Sequence, residues 1–180
     1  MLLLCLNTLA QDTSKFKKAI GIYFGGSNQK NKLYNTSNYK INYGITFGFK
    51  SKIFNQNQKN YEFTLLSIMK SSMIVNNIIG DGTVIELNTR NYFNKKEKKG
   101  FYSQSSISHG EIFFNKPNGQ KVKYSYWSLI GLQFGGDFKI SKEFSIDLNA
   151  GILWHWNKGF TDNISPFQSR GGISLMYNFY

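Results

Sequence analysis

Residues 122–156 read VKYSYWSLIGLQFGGDFKISKEFSIDLNAGILWHW, and this stretch decides the fold. Even positions from Val122 to Ile140 carry Val122, Tyr124, Tyr126, Ser128, Ile130, Leu132, Phe134, Gly136, Phe138 and Ile140, while Lys123, Ser125, Trp127, Leu129, Gly131, Gln133, Gly135, Asp137 and Lys139 fall on odd positions. After Ser141, Lys142 and Glu143 the alternation resumes. Phe144, Ile146, Leu148, Ala150, Ile152, Trp154 and Trp156 share one face, and Ser145, Asp147, Asn149, Gly151 and His155 share the other. A period of two is the signature of strand, so the stretch predicts a tight hairpin. Each arm is longer than the roughly 5–6 residues usual in soluble sheets and reaches the roughly 9–11 that a tilted strand needs to cross a bilayer.

The rest of the chain repeats the pattern. Strands are predicted from Lys18 to Gly26, Tyr39 to Lys50, Tyr61 to Lys70, Thr83 to Phe93 and Phe101 to Phe114, with a last one from Gln168 to Tyr180. Together with the hairpin they make eight strands and no helix of consequence. Polar runs over 27–38, 71–82 and 157–167 are expected to be long loops at one end, with shorter turns at the other. An even count puts both termini on one side. It also lets the last strand pair with the first, removing edges whose unpaired backbone groups hydrocarbon would not tolerate.

Alternation does not say which face looks outward. A secreted, lipocalin-like soluble barrel binding an apolar ligand would bury the aromatics, whereas a transmembrane barrel turns them to lipid. The polar faces of the second, sixth and seventh strands are dominated by Gly, Ser, Asn and Thr with isolated charges, the composition of a narrow barrel interior rather than of a solvated surface. Glu62, Glu86, Arg90, Lys123, Asp137, Asp147 and Arg170 are therefore expected to point inward and to pair, plugging the lumen. Aromatics gather toward strand ends, at Tyr39, Phe49, Phe138, Phe144, Trp154, Trp156, Tyr177 and Phe179, as in the girdles of membrane barrels.

A net charge of +12 over 180 residues is strongly basic, but no Lys/Arg block sits beside a nucleic-acid motif, and a nucleic-acid partner is not expected. Residues 1–10 are mostly apolar and end in small residues, resembling the end of an export signal without its charged start; residues 11–180 then form a single domain. Removal after Ala10 leaves no cysteine. No metal or cofactor is expected, since neither His109 nor His155 has a second ligand at metal spacing, and His155, beside two Trp residues near a strand end, reads as a rim or interfacial histidine. The one arrangement that suggests a nucleophile is His109 and Glu111 on one face with Ser105, which alternation allows to act as base, acid and hydroxyl of a lipid A deacylase or acyltransferase.

Ile20 to Gly26 (IGIYFGG), the aromatic pair Tyr92 and Phe93 before a charged turn, Phe101 and Tyr102 after it, and the C-terminal Tyr177-Asn178-Phe179-Tyr180 are the pieces that carry a family likeness. The chain resembles the small outer-membrane β-barrel proteins, the class of OmpX, Ail and the OmpA transmembrane domain, and the Bacteroidota-type outer-membrane β-barrel domain. The resemblance implies an eight-stranded antiparallel up-and-down transmembrane barrel. It also implies a monomer with periplasmic termini that contacts lipid and lipopolysaccharide, is inserted by the barrel-assembly machinery through its C-terminal strand, and acts through its outer loops. The class ordinarily ends on an outward aromatic, whereas here the outward set ends at Phe179 and Tyr180 has the opposite parity.

Overall fold

The computed structural model describes residues 18–31, 36–51, 62–75, 77–93, 100–159 and 164–179. The export-like segment 1–10, Tyr61 and the charged turn 94–99 lie outside the described residues. Eight strands form one closed antiparallel ring in chain order: β1 (Lys18–Asn31), β2 (Thr36–Ser51), β3 (Glu62–Val75), β4 (Ile78–Tyr92), β5 (Gly100–Asn115), β6 (Lys121–Lys139), β7 (Phe144–Gly159) and β8 (Ile164–Phe179). β8 pairs with β1 from Lys18↔Phe179 onward, so no edge strand remains.

A circuit of paired residues that leaves β2 at Lys40 passes through Ser27, Arg170, Gly151, Gln133, Gln104, Arg90 and Phe63 and returns to β2 at Lys50, ten residues further on. That stagger tilts the strands by about 40° and leaves an interior just wide enough for side chains to fill.

The outer wall is apolar. Ile22 is 68% exposed and Phe134 55%, and Ile45, Phe47, Leu132, Leu148, Ile152 and Leu175 also face out. At the end that holds the termini, outward rings touch one another: Phe144 and Tyr177 lie 5.1 Å apart, Tyr177 and Phe179 4.9 Å, and Phe101 and Phe138 6.0 Å. Half-buried Phe49 is at the same level, opposite Lys18. At the far end Trp127 pairs with Trp156, and Trp154, Phe167 and Tyr39 are exposed beside them. The interior is polar in its middle and apolar at its margins: Ala19, Leu65 and Met176 pack near the termini, and Met73, Val75, Ile112, Phe114 and Tyr124 pack at the far end of β3 to β6. A soluble barrel would reverse this distribution.

Four expectations are corrected. The long loops are mostly strand: β1 runs on to Asn31, β3 to Val75 and β7 to Gly159, leaving only 32–35, 76–77, 116–120 and 160–163 to connect strands at the far rim. β3 and β4 meet in a two-residue turn with Asn77 at φ 63°, a conformation Asn tolerates. Beyond the lipid band neither face need be apolar, so the backbone ladder continues through residues that carry no alternating signal. The longest connection, 52–61, lies instead at the terminus end.

The second correction concerns β6, which contains a bulge. Ser106 and Ser108 on β5 face Gly131 and Ser128, while Ser128 and Ile130 face His155 and Trp154, so β6 holds one residue more than either neighbour there. A bulge exchanges the faces beyond it. Leu132, Phe134 and Phe138 point out as expected, but Tyr124, Tyr126 and Ser128 point in. Lys123 consequently lies outside, not in the lumen.

Thirdly, β3 does not keep the parity that an inward Glu62 implies: Leu65, Ser67, Met69, Ser71 and Met73 are buried, and Ile68 and Lys70 face out. Both of its faces are partly apolar, and the apolar interior layers at each end of the barrel take the odd one. Glu62, expected inside, is the first residue of β3 and its side chain lies outside the described residues. Lastly, His155, read as a rim or interfacial residue, is buried in the lumen.

Candidate functional site

The inward positions of β4, β5, β7, β8 and β1 converge on one polar network. Arg90 on β4 forms a fork with Asp147 on β7, Nη1 to Oδ2 at 2.6 Å and Nη2 to Oδ1 at 2.9 Å. The Tyr102 hydroxyl donates to the same carboxylate at 2.9 Å, and its ring lies 4.2 Å below the Arg90 guanidinium. Arg90 Nε donates to Gln104 (2.7 Å), Gln104 donates to Asn88 Oδ1 (3.0 Å), and Asn88 donates to Glu86 (2.7 Å). Glu86 is the partner of Arg170 across the barrel, and Arg170 Nη2 donates to the Tyr23 hydroxyl at 3.0 Å. One continuous chain of hydrogen bonds, charge-assisted except where Gln104 donates to Asn88, thus ties β7, β4, β5, β8 and β1 together through the lumen.

The rings in this network need room. A Cβ at Gly25 or Gly172, which pair across β1 and β8, would collide with the Tyr23 ring, and one at Gly135 would collide with Tyr102. Large inward residues are accommodated by glycines facing them. The seventh charge expected inside, Asp137, is half-buried at the terminus end, with the Tyr92 hydroxyl 3.5 Å from Oδ2.

Nearer the far rim lies a second polar group that the sequence reading did not assemble. Lys40 on β2 reaches the Tyr126 hydroxyl on β6, on the opposite wall. The Tyr126 ring makes an edge contact with His155 at 4.8 Å; His155 Nε2 meets Gln168 Oε1, and Gln168 Nε2 donates to Ser27. Lys40 is legible as an inward residue from the alternation of β2. Tyr126 is not, because its face is set by the bulge.

No family model and no curated protein matches this sequence. Among solved structures, Ail, the attachment invasion locus protein of Yersinia pestis, superposes with a TM-score of 0.57 at 18% identity, covering 92% of this chain and 100% of Ail. Neisserial surface protein A superposes with a TM-score of 0.59 at 11% identity, covering 92% of this chain and 98% of that one. The fold is that of the small outer-membrane barrels.

On the outside of this outer-membrane-type barrel, His109, Glu111 and Ser105 do share a face, but Ser105 does not reach the other two. Ser105 lies four residues along β5 from His109, about 13 Å at strand rise. His109 Nδ1 lies 3.0 Å from the Tyr126 carbonyl oxygen and its ring stacks on Trp127 at 4.3 Å. Nε2 is 3.7 Å from Glu111 Oε1, and Glu111 is bound to Lys123 at 2.6 Å. Glu111 is thus engaged by an ammonium rather than by the imidazole, and no hydroxyl among the described residues is hydrogen-bonded to His109. Ser125 stands opposite Glu111 in the register, a position reached only once the bulge is known. The arrangement is that of a solvated ion pair beside an aromatic girdle.

Proposed function

We propose that the protein resides in the outer membrane with both termini in the periplasm, as a monomeric barrel closed to solutes that acts through its far rim. One observation carries this reading: the ion pairs Arg90–Asp147 and Glu86–Arg170, joined by Asn88 and Gln104, cross an interior that eight strands make narrow. A conducting pathway would have to break bonds whose loss leaves charges unpaired in a low-dielectric interior. In a planar bilayer the purified barrel is expected to give no unitary conductance steps. Reproducible steps that persist after removal of contaminating porins would sink the proposal.

The far rim offers Lys30, Lys116 and Lys121 beside the short connections 32–35 and 116–120. These suit phosphate groups of lipopolysaccharide in the surrounding leaflet. Ail was crystallised with sucrose octasulfate, a heparin analogue, and sulfate and phosphate groups make the same charge-assisted demand on lysines. Insertion by the assembly machinery would read β8 through its outward ring Phe179. Orientation is tested by Asn118→Cys, expected to react with a membrane-impermeant maleimide on intact cells; labelling only after outer-membrane lysis would invert the barrel. Lipid A from cells carrying His109→Ala is expected to have an unchanged mass spectrum, and an altered acyl count would restore an enzymatic role.

A further inference from the structure

Lys40 is 5% exposed, and its ammonium sits 4.1 Å from the centre of the Tyr126 ring, donating to that hydroxyl. No carboxylate among the described residues pairs with it. Glu86 is bound by Arg170, Asp147 is bound by Arg90, and Asp137 lies at the opposite end of the barrel. Over the middle and far half of the lumen, three buried cations therefore face two buried carboxylates among the described residues.

Four buried donors around this level also lack a partner: Asn38 Nδ2 and Arg170 Nε on the β2 and β8 walls, and the hydroxyls of Ser71 and Ser128 on the β3 and β6 walls. Their residues are at most 7% exposed. Asn38 is on the same face of β2 two residues beyond Lys40, Ser71 lies on β3 two residues from Met73, which is opposite Lys40, and Ser128 is the next inward residue to Tyr126 on β6, whereas the stagger of the rows sets Arg170, two strands on from Lys40, nearer the middle. Unsatisfied buried donors call for a water or an ion. Water satisfies hydroxyls and amides but supplies no charge, and an ammonium out of water needs one.

We propose that the far half of the lumen is an anion site, holding one small monovalent anion of chloride's charge and size beside Lys40 Nζ and the free donors of Asn38, Ser71 and Ser128. The surplus of one positive charge sets the valence, and N–H and O–H donors beside the ammonium suit a halide. The bare acceptors at this level, Asn42 Oδ1 and His155 Nδ1, take the accompanying water. The site stands whether or not the barrel conducts, so failure of one reading leaves the other intact.

The test is thermal unfolding of the whole barrel in detergent, followed by tryptophan fluorescence, with sodium chloride replaced stepwise by sodium gluconate at constant ionic strength. The midpoint is expected to rise with chloride and to saturate, as a ligand that binds only the folded state requires. Lys40→Met is expected to give the same midpoint at every chloride concentration. Equal midpoints in chloride and gluconate for the unmodified chain, or an undiminished response in Lys40→Met, would overturn the site. Should that variant not fold, crystals of the unmodified chain soaked in bromide decide: an anomalous peak within hydrogen-bond distance of Lys40 Nζ supports the site, and no peak in the lumen refutes it.

Discussion

The middle of the lumen and its far end are built from the same kinds of side chain, yet they handle charge differently. In the middle, every guanidinium has a carboxylate, and amides of Asn88 and Gln104 carry the bonding from one ion pair to the next. At the far end a buried ammonium leans on a phenol, and donors on three strands stand free. The first level fixes which strands face one another across the barrel, because Glu86 and Arg170, or Arg90 and Asp147, meet only in one register. The second leaves room for something that is not part of the chain. Structural and ligand-ready polar interiors are thus distinguished by whether the donors and charges close among themselves, not by how many there are.

The sharpest way to break that distinction is in the closed level. Asp147→Asn keeps the shape but leaves Arg90 with a neutral partner, and a broken buried pair costs about 3–5 kcal/mol. Urea unfolding of the barrel refolded into lipid vesicles measures it. The double variant Asp147→Asn with Arg90→Met is expected to recover most of the loss, since the uncompensated guanidinium is then gone. If the double variant is as unstable as the single, the network holds the barrel through packing and not through charge.

A smaller effect is expected at the junction of the two levels with the wall. Tyr126→Phe removes the one protein acceptor of Lys40 and nothing else, and a hydrogen bond to a charged group is worth about 1.5–3 kcal/mol. The same unfolding assay applies, read in chloride-free gluconate and again in chloride. The loss should shrink in chloride, where the anion takes over part of the ammonium. An equal loss in both salts would mean that the hydroxyl, not an anion, is what Lys40 depends on.

How far these levels could be read from residues alone depends on the bulge and the rim. The faces of β2, β4 and β7 follow directly from alternation, so Glu86, Arg90 and Asp147 could be placed inside, and the family likeness gave the closed eight-stranded ring. Alternation assumes an unbroken period, and the extra residue between Ser128 and Gly131 breaks it. Tyr126 and Lys123 were exchanged between faces for that reason. β3 was reversed because Leu65, Met69 and Met73 are as apolar as Leu66 and Ile68, and only the layered interior separates them. Strand at the far rim was missed because Asn28, Ser37 and Asn38 carry no lipid-facing pattern over a full strand length. Which inward charges pair, and that Ser105 is too far from His109, follows from register, which no single strand contains.

The smallest expected effect is the most discriminating. Lys40→Met removes the unpaired ammonium and keeps much of the apolar stem that lies against Tyr126, so in gluconate the variant should match the parent or exceed it by up to about 1 kcal/mol, as replacing an uncompensated buried ion with an apolar side chain does. In chloride the order should reverse, because the parent gains its ligand and the variant does not. The crossing of the two unfolding curves between salts is the quantity to measure. A variant that loses several kcal/mol in gluconate would show that Lys40 is already compensated inside the empty barrel, and the far end would then be as closed as the middle.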